Sequence, residues 1–144
     1  MRFLAGIGIL LIAGCGNSDR ALTSSVTGTV TLNGKPVSKG QIVFETTGAR
    51  PANGRIANGR IVEMTTYEPN DGAPVGNHHV AVFVTTDGAS AVTASPGEAG
   101  KFDPNYMGGT SLIPRQYNDP YSSGLTAEVK PDGRNNFSFE LRSP

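Results

Sequence analysis

Two Asn-Gly dipeptides, Asn33-Gly34 and Asn58-Gly59, constrain this chain more than any other feature. Asn-Gly between alternating stretches is the strongest short signal for a two-residue hairpin, because both turn positions take positive φ. Before the first dipeptide, Val26-Thr27-Gly28-Thr29-Val30-Thr31-Leu32 alternates with period two. Val26, Val30 and Leu32 share one face and threonines line the other, the pattern of a half-buried strand. Gly28 interrupts it, marking either a bulge or a place where another backbone packs close. After the turn, Lys35-Pro36-Val37 leads through Lys39-Gly40 into Gln41 to Glu45, with Ile42 and Phe44 facing in. Around the second dipeptide, Arg55-Ile56-Ala57 and Arg60 to Thr66 form the arms of another hairpin. Thr46 to Asn53 is expected to be a loop.

Tyr67 to Asn77 is turn chemistry throughout. His78 to Val84 is the most hydrophobic stretch of the folded part, with His78, Val80, Val82 and Val84 on one face and His79, Ala81 and Phe83 on the other. Apolar residues on both faces place such a strand inside a sheet. Thr85 to Gly124 carries weak pattern over a length too great for a bare loop, and Leu112-Ile113-Pro114 and Tyr117 are its hydrophobic handles. Leu125 to Val129, a turn at Pro131-Asp132-Gly133, and Asn136 to Leu141 close the chain, with Phe137, Phe139 and Leu141 alternating. With 19 Gly, 10 Pro, no Trp and no helical period, the pattern predicts an all-β fold. The expected architecture is an antiparallel β-sandwich of about seven strands, prealbumin-like or Ig-like.

Ahead of this domain, Met1-Arg2 supplies a small positive end and Phe3 to Ile12 is almost wholly apolar. Such a run makes a helix of roughly 15 Å, about half of what a bilayer core demands. A cleaved signal peptide fits its length, charge and small-residue exit. Leu11-Ile12-Ala13-Gly14-Cys15 resembles a bacterial lipobox, with Leu11, Ile12, Ala13 and Gly14 as the peptidase recognition residues and Cys15 as the lipid acceptor. Cys15 is the only cysteine, so disulfide stapling is excluded. A multiply acylated cysteine anchors a protein where one chain alone binds only marginally. The expected organisation is a lipoprotein signal peptide over 1–14, a lipid-anchored flexible tether over 15–25, and the β-sandwich over 26–144. Gly16 occupies the position where known lipoproteins carry an inner-membrane retention aspartate, which favours the outer membrane.

Loss of Arg2 with the leader leaves 11 basic against 12 acidic residues. That balance lacks the cationic footprint on which nucleic-acid binding rests. The expected partners are therefore the membrane, through Cys15, and an envelope protein or glycan.

The stretch Val26 to Val37 resembles the opening "G-x-V-x-x-x-G-x-P-(L/V)" of carboxypeptidase regulatory-like, or transthyretin-like, domains. Asn58-Gly59-Arg60-Ile61 is similar to their "D-G-x-(F/Y)" hairpin. Pro74 to Val82 is similar to "P-x-G-x-Y-x-V-x-V", with His78 where an aromatic is usual. Ile113 to Pro120 and Ser123 to Thr126 resemble small planctomycete-type lipoproteins that carry this domain. The resemblance spans nearly all of the chain after Cys15 and implies a seven-stranded, prealbumin-like sandwich with a non-enzymatic accessory role.

Candidate chemistry is thin. His78 and His79 point to opposite faces of a strand and cannot chelate one metal together. One ring is expected to be half-buried and the other exposed. Glu68, Asn70 and Asp71 invite a Ca²⁺ reading, but the loop lacks the ligand spacing of an EF-hand. Neither G-x-S-x-G nor a marked triad is present, and the chain lacks the C-terminal Tyr-Arg-Gly-Ser of hydroxyisourate hydrolases. No cofactor is expected. Tyr106, Tyr117 and Tyr121 form a candidate ligand surface, since loops on a rigid scaffold commonly carry binding. The function expected is a lipid-anchored, non-enzymatic structural or interaction module binding protein or carbohydrate. The alternative is an envelope protein that binds a small ligand or metal through Tyr67 to Asn77 and the histidines, and an envelope hydrolase ranks last.

Overall fold

The computed structural model describes residues 20–86 and 110–144. Its strands are β1 (Thr23–Ser24), β2 (Val26–Leu32), β3 (Lys35–Pro36), β4 (Lys39–Glu45), β5 (Ala52–Ala57), β6 (Arg60–Thr65), β7 (Ala73–Pro74), β8 (Gly76–Phe83), β9 (Leu125–Val129) and β10 (Asn135–Leu141). A single 3-10 turn, Arg115–Asn118, is the only helical element among the described residues.

Both Asn-Gly turns form as the sequence predicts. Asn33 and Gly34 have φ of 51° and 80°, and Asn58 and Gly59 have 49° and 76°. Two consecutive positive φ values give the tight turn whose twist matches the flanking strands. Leu32 accordingly pairs with Lys35, and Ala57 with Arg60. The chain from Thr46 resumes extended structure at Ala52, so the loop ends at Pro51, ahead of the expected end at Asn53. A bulge between Asn53 and Arg55 accompanies Glu63, which sits at a φ of 55°. There the Arg55 guanidinium grips the Glu63 carboxylate with two hydrogen bonds of 2.8 Å.

The main sheet runs β10-β2-β6-β5-β4-β8-β9, with β3 added to β2. One pairing departs from the expected antiparallel arrangement: β10 lies parallel to β2, with Phe139 opposite Val30 and Leu141 opposite Leu32. The reason lies in the short connection after β9. Seven strands laid flat would put the edges about 29 Å apart at ~4.8 Å per gap. The link from Val129 to Asn135 reaches at most about 20 Å. The sheet therefore curls, and the chain crosses its open end from one edge to the other rather than turning back on itself. Phe44 of β4 consequently meets Phe137 and Phe139 of β10 edge-on, at centroid separations of 5.8 and 6.0 Å.

Inside the curl lies one apolar core containing Val30, Ile42, Phe44, Ile56, Val80, Val82, Val129 and Leu141, each at most 1% exposed. Gly28 is the close-approach alternative: an added Cβ would run into the Phe137 carbonyl of the neighbouring strand. The β2–β10 register is regular there, with no bulge.

Paired structure begins earlier than the expected boundary at residue 26. Thr23 and Ser24 pair with Pro74 and Ala73, so the end of the expected tether is structured. Asn135 explains much of this. Its buried amide donates to the Ser24 hydroxyl and to the Ser25 and Lys130 carbonyls, and its oxygen accepts from the Lys130 N–H. One side chain thus joins the incoming chain to the crossing link, through both the nitrogen and the oxygen of its amide.

Candidate functional site

The segment between β6 and β8 is built around Asp71. Its carboxylate accepts hydrogen bonds from the N–H groups of Thr66, Tyr67 and Glu68 at 2.6, 2.9 and 3.1 Å. Burial pushes this carboxyl up, but the hydrogen bonds from Thr66, Tyr67, Glu68 and its own backbone outweigh that and hold it below its ordinary value. The oxygens a Ca²⁺ ion would need are thus occupied by the protein's own backbone. No group of three His, Cys, Asp or Glu residues able to hold a metal occurs among the described residues.

The same loop delivers Pro74 to β8, and with it the setting of His78. This ring is 2% exposed and packs against Phe44 at 5.7 Å between centroids. Its Nε2 donates to the Pro74 carbonyl at 2.7 Å, which puts the proton of the neutral ring on that nitrogen. Nδ1 has no hydrogen-bond partner, although the Phe44 backbone lies near enough to oppose the shift slightly. Burial is the largest influence and lowers the His78 pKa. The ring is therefore a core residue, and it is fully rather than half buried.

His79 points the other way and is exposed. In the sheet it stands opposite Glu45 on β4 and Thr126 on β9. Tyr121 closes over this row: its ring lies 4.9 Å from that of His79 and its hydroxyl donates to Glu45 Oε1 at 3.2 Å. The negative charge of Glu45 raises the Tyr121 phenol, helped by desolvation, by the hydrogen bond to Glu45 and by the charge of Asp119. Tyr121 nevertheless remains 65% exposed.

Its backbone is braced from below. Asp119 accepts from the N–H groups of Tyr121 and Ser122, and the buried Ser123 hydroxyl donates to the Val80 carbonyl at 2.6 Å. Asn118 adds a bond from its amide to the Val82 carbonyl. These short polar side chains tie the 118–123 segment onto the edge of β8 beyond the reach of β9. The result is a large aromatic surface presented beside a carboxylate and an imidazole.

The three tyrosines of the expected ligand surface therefore separate. Tyr117 is buried, and its hydroxyl accepts from the Arg142 N–H at 3.1 Å, pinning the end of β10. It is a structural residue and is corrected out of the surface. Tyr121 is in it. Tyr106 lies outside the described residues, as do Leu11, Ile12, Ala13, Gly14 and Cys15. Of the hydrophobic handles, Ile113 is buried but Leu112 is 54% exposed. Sequence reasoning missed Glu45 and Ser123 in this site. Period two along β4 marks Glu45 as facing out, but nothing local marks Tyr121 as its partner 76 residues away.

His78 is bonded to a backbone carbonyl and His79 meets a tyrosine ring, so neither imidazole is hydrogen-bonded to a serine hydroxyl. No helix among the described residues is long and apolar enough to cross a membrane. Comparison with protein-family models, curated proteins and solved structures returns no match.

Proposed function

We propose that this chain is a lipid-anchored, non-enzymatic interaction module of the cell envelope, held through Cys15 and offering the Tyr121 face to an envelope glycan or protein. The observation that carries the reading is the exposure of Tyr121 beside Glu45 and His79, with its backbone N–H held by Asp119. A flat aromatic with few side-chain torsions loses little entropy on binding, and its neighbours offer hydrogen bonds around the rim. The face of the ring suits the C–H surface of a sugar, and the Glu45 carboxylate suits its hydroxyls. The anchor reading is supported by the apolar leader ending at Ile12-Ala13-Gly14-Cys15. The curled sheet is read as a prealbumin-like sandwich of the carboxypeptidase regulatory-like type. Support comes from the facing of β4 and β10 and from the two Asn-Gly turns at the positions of the family's hairpins. The membrane expected is the outer one, from Gly16.

Two measurements test this. Mass spectrometry of the membrane fraction should find an acylated Cys15 at a new N-terminus, and Cys15→Ser should move the protein to the soluble fraction. An unmodified Cys15 inside an uncut chain rejects the anchor. Co-sedimentation with insoluble envelope glycan should fall about tenfold for Tyr121→Ser. Equal sedimentation of parent and variant rejects the glycan face.

A further inference from the structure

Lys35 and Lys39 play no part in the face described above. β2 enters beside β1 at Val26 and ends at Leu32, about 20 Å further along at ~3.3 Å per residue. At that far end a cleft of roughly 500 Å³ is lined by Leu32, Lys35, Ser38, Lys39, Thr86 and Leu112 among its residues. Its size falls within the range of small-molecule sites.

Both walls are hydrogen-bonded frames. On one side the Val37 N–H donates to the Val30 carbonyl, and the Asn58 and Gly59 N–H groups donate to the Ser38 and Val37 carbonyls. On the other, the Leu112 N–H donates to the Val84 carbonyl at 2.8 Å, the Thr86 N–H donates to Thr110, and Thr85 bridges to Ser111. The cleft thus stands ready without a ligand to shape it. No aspartate or glutamate is among the described residues that line it. Among the described residues neither lysine takes part in an ion pair. Leu112, 54% exposed, leaves an apolar side chain in water beside these two cations.

We propose that this cleft binds an alkyl phosphate monoester, its dianionic head between Lys35 and Lys39 and its chain along Leu32 and Leu112. Two ammonium groups with no ion pair among the described residues match a dianion in charge, and charge-assisted hydrogen bonds to phosphate are about twice as strong as neutral ones. The Ser38 and Thr86 hydroxyls offer further donors to the phosphate oxygens. The apolar lining gives the chain a surface that an inorganic anion cannot use. The site is separate from the Tyr121 face and stands whether or not that face binds glycan. The chain enters the domain at the opposite end of β2, so the cleft is turned from the tethering membrane and takes a free ligand rather than a headgroup in that bilayer.

The test is calorimetric titration of octyl phosphate, below its micelle concentration, into the full chain carrying Cys15→Ser, which has no acyl group of its own. A single saturable site is expected, weakened about tenfold or more in the double variant Lys35→Gln, Lys39→Gln. Leu112→Ser should weaken it severalfold, and inorganic phosphate should bind about tenfold less tightly than octyl phosphate. All three side chains are exposed, so the variants keep their fold, which circular dichroism checks. Absence of binding overturns the proposal, as does equal affinity in the double-lysine variant. Lysine-dependent co-sedimentation with phosphatidylglycerol vesicles, without octyl phosphate binding, overturns the free-ligand site in favour of a lipid surface.

Discussion

His78 and His79 are neighbours on β8, yet the two sides of the strand use the same side chain in opposite ways. Inward, His78 is sealed against Phe44, with one nitrogen bonded to Pro74 and the other bonded to nothing. Outward, His79 lies in water beneath an exposed tyrosine whose hydroxyl is held by Glu45. The difference teaches that residue type does not mark function in this molecule; the side of the sheet does. The inner side stores stability, and its polar groups are satisfied or kept neutral. The outer side is mixed: Val43, Ala81 and Phe83 are buried there in a second small cluster, while His79 and Tyr121 stay exposed beside Glu45.

The comparison is broken most sharply at Phe44. It is fully buried and touches His78, Phe137 and Phe139, so Phe44→Ala should cost about 3–5 kcal/mol. Urea denaturation checks this, and a loss within the scatter of surface mutants would mean the curl is not closed by these rings. Asn135→Ala comes next. It strips partners from the Lys130 N–H and from the Ser25 and Lys130 carbonyls, and should cost about 1–3 kcal/mol. Amide exchange should then quicken at Thr23 and Ser24. Unchanged exchange there would show that the β1–β7 pairing does not depend on this amide.

The third test probes the inner histidine by pH. Burial sets the folded pKa of His78 below its ordinary value of about 6.5, which the unfolded chain retains. Between those two values the unfolded state binds more protons, so stability rises with pH across that window. The stability is fully present above about pH 6.5 and is lost as the pH falls through the folded value. Melting temperatures at about pH 7.5 and pH 5 should therefore differ less in His78→Phe than in the parent. Equal pH sensitivity of the parent and His78→Phe would remove His78 from the account.

The smallest effect belongs to the outer side. Tyr121→Ser should change stability by only about 0.5 kcal/mol, because the ring is mostly in water. A loss near that of Asn135→Ala would reclassify Tyr121 as a packing residue, and the two sides of β8 would no longer differ in kind.

Sequence alone determined the parts of this protein that depend on neighbours along the chain. The two Asn-Gly turns, the strands at Val26–Leu32 and Leu125–Val129, and the inward alternation of Phe139 and Leu141 were all legible, because positive φ and period two are local properties. The apolar leader and Cys15 are legible for the same reason. Tertiary structure decided the rest. A turn at Pro131-Asp132-Gly133 reads as a hairpin, and only the curl of the sheet brings the far edge near enough for β10 to pair parallel with β2. Tyr117 and Tyr121 are equivalent in composition and setting along the chain. One became a buried peg and the other an exposed face because Arg142 and Glu45 happen to meet them in space. Burial and long-range hydrogen bonding are sums over the whole fold, and no window of sequence contains them.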